Sequence, residues 1–456
     1  MAVSIVLRVG DTSAQDVALT SAGVAVLEYP MNSPDINQQA LQNLGDGNTL
    51  GVPSFSNVTE SLELHISDTT AALVAAKVQA IERLLDLARQ GSMGMFDNKL
   101  YVRLQFDNDT LVWRSQILAA RLEMEQGTDQ IWRKYIRATL IITRRFYWET
   151  EALQALEVSS GTTTTATTGY ATVYNSDDTH ATQRNWFQIA AAQLTGSLPA
   201  PAKISVKNIS GAERNCYSVY LGNYAFCDPT NIDPVWRAES ATLVDTSIGT
   251  TEQDFYAWDM SNGIVDDFRG QFGRSVVVFS DRPEGTTLLR AALQYRGPTP
   301  QADLALGEQM LDVSQDFVMD LGALPIPPSG YAAGMGDRLY LTLKGKAASG
   351  TDTVGVDWLQ IFPSGAGRYR VLKGIFGGLT LESNNEVVDD GPAGAVYLAT
   401  TGDEVLPLYR PLYTPIYLWP NRVQRLRLLI SGGSFAFETG QPWGVKCEYR
   451  PRRVSF

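Results

Sequence analysis

At 456 residues the chain exceeds one typical domain, and two to four domains are expected. Its 44% hydrophobic and 19% charged content is ordinary for folded material and excludes a disordered chain. The balance of 37 basic against 49 acidic residues, a net charge of −12, excludes a protein that grips nucleic acid over its surface, since that binding neutralises phosphates with a basic surplus.

The chain opens on an alternating run, Ser4 to Val9, with a turn at Gly10-Asp11. Without a basic segment ahead of a long apolar core it reads as a strand and not as a signal peptide. No stretch reaches the ~18 apolar residues that a membrane helix needs, so synthesis in the cytoplasm as a soluble protein is expected. Glu60 to Ile66 alternates, with Leu62, Leu64 and Ile66 on one face and Glu63 and His65 on the other. A helix over 69–90 follows. Ser67, Asp68 and Thr69 offer capping oxygens, Gly91 a stop, and Val74, Val78, Ile81, Leu85 and Ala88 form a buried stripe. Leu100 to Phe106 and Leu111 to Leu118 return as strands around the turn Asp107-Asn108-Asp109. In the last strand of the region Ile136, Ala138, Leu140 and Ile142 oppose Arg137, Thr139, Ile141 and Thr143. Residues 1–155 are therefore expected to form a β-sandwich with one flanking helix.

Residues 156–184 centre on SSGTTTTATTG (159–169), low in complexity and without apolar period, a linker or exposed loop. Residues 185–365 are expected to form a jelly-roll-like β-sandwich, with short strands near 204–208, 218–221, 275–280, 288–295, 313–321, 339–343 and 355–362. One short helical turn is expected at 301–309. Residues 366–456 read as a C-terminal β-module with strands at 406–409, 415–420, 425–430 and 443–449. The fold class is mainly β throughout.

The chemistry is sparse. His65 and His180 are the two histidines; neither has a Cys or second His at ligand spacing, and no Gly-x-Ser-x-Gly elbow or phosphate-binding Gly-Lys-Ser/Thr loop occurs. The adjacent pairs Asp266-Asp267 and Asp389-Asp390 point to opposite faces of a strand and suit turns or calcium better than paired acid–base work. Cys216, Cys227 and Cys447 make no disulfide framework; for Cys216 and Cys227 a pairing across a hairpin and two buried free thiols both stay open. The basic clusters Arg133/Lys134/Arg137 with Arg144/Arg145, and Arg450/Arg452/Arg453, fit a solvated edge or a subunit contact. Trp236, Trp258 and Tyr295, near Tyr256 and Trp358, are candidate glycan contacts, because sugar rings stack on exposed aromatic faces; core packing is the competing account. No catalytic residue, cofactor or metal ligand is assigned.

The segments VTESLELHI (58–66), WRSQI (113–117) and ITRRFYW (142–148) resemble the siphophage tail tube and distal tail protein family. The closing segments VLP (405–407), YLWPNR (417–422) and RLRLLI (425–430) are similar to the closing part of distal tail proteins, although Pro420-Asn421 stands where that family usually has Pro-Gly before the Asn. GSLPAPAKISVKN (196–208) and VDWLQIFP (356–363) resemble the borders of galactose-binding-like jelly rolls. The resemblance implies a non-enzymatic virion protein: a ring-forming distal tail (baseplate hub) or tail tube subunit around a DNA channel. Its partners would be itself, other tail proteins and a host-surface glycan. A carbohydrate-binding adhesion protein using the jelly roll is the alternative, and an enzyme acting on a cell-surface polymer ranks last.

Overall fold

A computed structural model describes residues 3–10, 16–37, 40–42, 48–50, 54–92, 99–107, 109–125, 134–160, 169–177, 183–227, 234–260, 272–281, 287–296, 302–306, 310–311, 317–326, 338–374, 379–402, 409–432 and 440–456. The chain is mainly β and divides into two compact units. The first comprises Met1–Leu153, Gly196–Leu198 and Arg450–Phe456; the second comprises Gln154–Thr195 and Pro199–Tyr449.

Besides two strand pairs, Ile36–Asn37 with Ser54–Phe55 and Ala40–Gln42 with Asn48–Leu50, the first unit has one nine-stranded antiparallel sheet with a helix on one face. Its strands run in the order Val17–Ala18, Val3–Val9, Leu100–Phe106, Val112–Met124, Tyr135–Arg144, Val58–Ser67 and Val24–Glu28. The alternation read from the sequence is borne out: Leu62, Leu64, Ile66, Ile136, Ala138, Leu140 and Ile142 all point into the core. The helix, Ala71–Ser92, lays Val74, Val78, Ile81, Leu84 and Leu85 against that face. Each such aliphatic side chain contributes about 1.5–3 kcal/mol on burial. Thr70 supplies the capping oxygen, accepting from the Leu73 amide at 3.3 Å. Asp68, expected as a cap, instead pairs with Lys77 at 2.7 Å. The last strand, Arg452–Arg453, pairs with Trp148 and Glu149, and the Phe456 ring packs 5.0 Å from Phe106 and 5.2 Å from Trp148.

The second unit contains two sandwiches. One has a seven-stranded and a five-stranded sheet. The seven-stranded sheet runs Gln154–Ala155, Pro442–Tyr449, Ala200–Asn208, Glu386–Asp390 and Ala395–Leu398, with Ala171–Tyr174 and Tyr417–Leu418 attached. The five-stranded sheet runs Trp186–Ile189, Gln424–Ser431, Ser218–Asn223, Tyr369–Gly374 and Tyr409–Leu412. Strands before residue 224 thus pair with strands after 368, across the boundary expected at 365. Within the stretch expected to be a linker, Ala171–Tyr174 is a strand, because Ala171 and Val173 alternate into the core beside Leu156 and Val158.

Between these strands the chain builds eight more principal strands. One sheet runs Val235–Arg237, Gly355–Pro363, Phe272–Asp281 and Val318–Pro325. The other runs Gln253–Asp259, Arg338–Ala347, Thr287–Arg296 and Ala302–Leu306, with Leu243–Val244 and Met310–Leu311 at its margins. The helical turn expected at 301–309 is corrected here: Ala302–Leu306 pairs with Thr287–Arg296, where a neighbouring strand's unpaired amides and carbonyls outweigh a weak local propensity.

The five-stranded sheet is buried on both faces. Val219, Leu221, Leu372, Leu428 and Ile430 join the core of the seven-stranded sheet, while Tyr220, Val371 and Leu429 join the core of the eight-strand sandwich. Every residue of Ser218–Asn223 and of Gln424–Ser431 is accordingly buried. At Gly222 a Cβ would run into the Phe362 ring, so this glycine permits the close approach of the two layers. Gly222→Ala is expected to destabilise the second unit by about 1–3 kcal/mol, read as a shift in the midpoint of urea unfolding.

Candidate functional site

Among the described residues, those singled out for chemistry do not converge. The His65 ring stacks on Tyr135, centroids 5.5 Å apart, on the face of its strand away from the core. His180 and Asp266-Asp267 lie outside the described residues. Asp389 and Asp390 split across their strand. Asp389 accepts from Arg370 Nε at 3.0 Å and Nη2 at 2.7 Å; burial pushes its carboxyl up from the usual range, against those two bonds. Asp390 turns the other way, 3.6 Å from Lys203 Nζ, and accepts the Ala393 amide at 3.0 Å. A pair held on opposite faces serves structure and a turn. Cys216, Cys227 and Cys447 are free and buried. Among the described residues no group of three His, Cys, Asp or Glu side chains could hold a metal.

Trp236 is 8% exposed and Trp258 1% exposed, both within the core of the eight-strand sandwich. The Trp258 indole stacks on Tyr256 at 5.6 Å and donates to the Arg237 carbonyl at 2.7 Å. Neither tryptophan presents the open ring face that a sugar needs. Tyr295 lies in the strand Thr287–Arg296, opposite Leu339 and Ala302; its side chain is outside the described part.

The arginines expected at solvated edges are mostly held. Arg144 is 0% exposed and donates to Glu60 through Nη2 at 2.7 Å and Nε at 2.9 Å. Its Nη2 also reaches the Asn32 carbonyl at 3.0 Å, and its guanidinium lies 4.6 Å from the Trp148 ring. The Tyr29 hydroxyl donates to the same carboxylate at 2.8 Å, and burial raises the pKa of that phenol well above its usual value. Sequence reasoning missed Glu60 although a signal was there: it shares the parity of buried Val58, Leu62, Leu64 and Ile66, as Arg144 shares that of Ile142. A charge at a core position on each of two paired strands marks a buried ion pair. Arg452 binds Glu149 at 3.1 Å, and Arg114 reaches the same carboxylate at 3.3 Å.

What the first unit offers a partner is edge and apolar surface. Val24–Glu28 ends the strand order, its pairing shifts register between Val26 and Glu28, and Leu27 is 55% exposed. Leu118 and Met124, on Val112–Met124, and Ile36 are also solvent-facing. An edge strand with open backbone groups is a template for another chain.

No protein-family model matches the chain, and no curated protein sequence matches it significantly. Among solved structures it is similar to the SPP1 Dit protein, described as a paradigm of the hub adsorption apparatus in phages infecting Gram-positive bacteria. The identity is 8% and the TM-score 0.35, over 98% of each chain. It is also similar to a chain of the phage P2 baseplate in its activated conformation with Ca, at 6% identity and TM-score 0.36 over 99% of this chain and 98% of that one. A third likeness is to a chain of the 6-fold symmetrised baseplate of the anti-feeding prophage, at 12% identity and TM-score 0.17 over 31% of this chain and 88% of that one. With TM-scores below 0.5, none of these likenesses assigns the chain to a family.

Proposed function

We propose that the chain is a structural, non-enzymatic virion protein of a long-tailed phage, a distal tail hub or tail tube subunit that forms rings around a DNA channel. The observation that carries this reading is the first unit: a nine-stranded antiparallel sheet with one helix on its face, ending in an edge strand whose Leu27 faces solvent. Edge strands and exposed apolar side chains are what a closed ring satisfies between neighbours. The acidic surplus suits a conduit that must let DNA slide past without holding it. Its partners are then further copies of itself and other tail proteins, and its place is the phage tail.

Within this reading the eight strands from Val235 to Pro363 form an inserted jelly roll. Numbered along the chain they lie in the orders 1-8-3-6 and 2-7-4-5, the two-sheet wrapping of two Greek keys. Such an insertion favours the hub over the tube.

Negative-stain microscopy of the purified chain with mass photometry tests the proposal. Rings with a central hole support it, stacking of rings points to the tube, and a strictly monomeric particle at every concentration overturns it. Leu27→Asp is expected to raise the concentration needed for assembly about tenfold while leaving the thermal midpoint of the monomer in place.

A further inference from the structure

We draw no further inference here: the strongest candidate, the charged outer face of the seven-stranded sheet, where Ser205 lies between Lys203 and Lys207 and opposite Lys446, carries nothing because Lys203 is taken by Asp390 and Glu448, Lys446 by Glu448 and Lys207 by the Tyr170 ring, and nothing in the structure shows what covers it.

Discussion

Glu60→Ala is expected to cost the first unit about 3–5 kcal/mol, because it leaves the guanidinium of Arg144 charged, buried and without its carboxylate. Glu60 is 2% and Arg144 0% exposed, and the two bonds between them are the bidentate fork that best repays desolvation. The change also removes the acceptor of the Tyr29 hydroxyl. Losing both charges together is a different matter. The double variant Glu60→Leu, Arg144→Met orphans no ion, since the Met side chain still packs on Trp148, and it is expected to recover a large part of the loss. Urea unfolding followed by tryptophan fluorescence measures both. A single variant within about 1 kcal/mol of the parent would mean that the pair is wet and worth no more than a surface ion pair.

Trp258→Ala is expected to destabilise the eight-strand sandwich by about 3–5 kcal/mol, the range for removing a large buried aromatic. The side chain is 1% exposed, stacks on Tyr256 and gives its indole hydrogen to the Arg237 carbonyl; deletion leaves a cavity and removes one of that carbonyl's donors, the Ser240 hydroxyl at 2.8 Å remaining. The same substitution separates the two roles that the sequence left open for this residue. A sugar-stacking tryptophan on the surface would cost glycan affinity and little stability. A core tryptophan costs stability first, seen as loss of near-ultraviolet circular dichroism at lower denaturant. A variant with an unchanged unfolding midpoint would sink the core assignment.

Local periodicity was legible wherever a strand has one wet face. Val58–Ser67 and Tyr135–Arg144 alternate because their sheet carries the helix on one side only, so the pattern of side chains records the pattern of burial. The helix was legible for the same reason, its stripe lying at helical spacing. Gln424–Ser431 was legible as a strand but its surroundings were not. Arg425 and Arg427 alternate there with leucines, yet they are 9% and 1% exposed. The guanidinium of Arg427 donates to Asn185 at 2.7 Å, and Asn185 donates to Gln360 at 3.0 Å. These are residues 242 and 175 positions apart in the chain, and no local window contains such a partnership.

The sequence by itself determined that this protein is mainly β, that a single helix follows the strand ending at Ser67, and that its acidic balance disfavours nucleic acid. These are local or summed properties, set by side-chain period, capping chemistry and charge. Only the tertiary structure decided which strands share a sheet, that the chain from Val235 to Pro363 is enclosed by strands on either side of it, and that Trp236 and Trp258 are core. The physical reason is that strand pairing and burial depend on partners far along the chain. Alternation specifies which face of a strand turns inward, but not what lies against it.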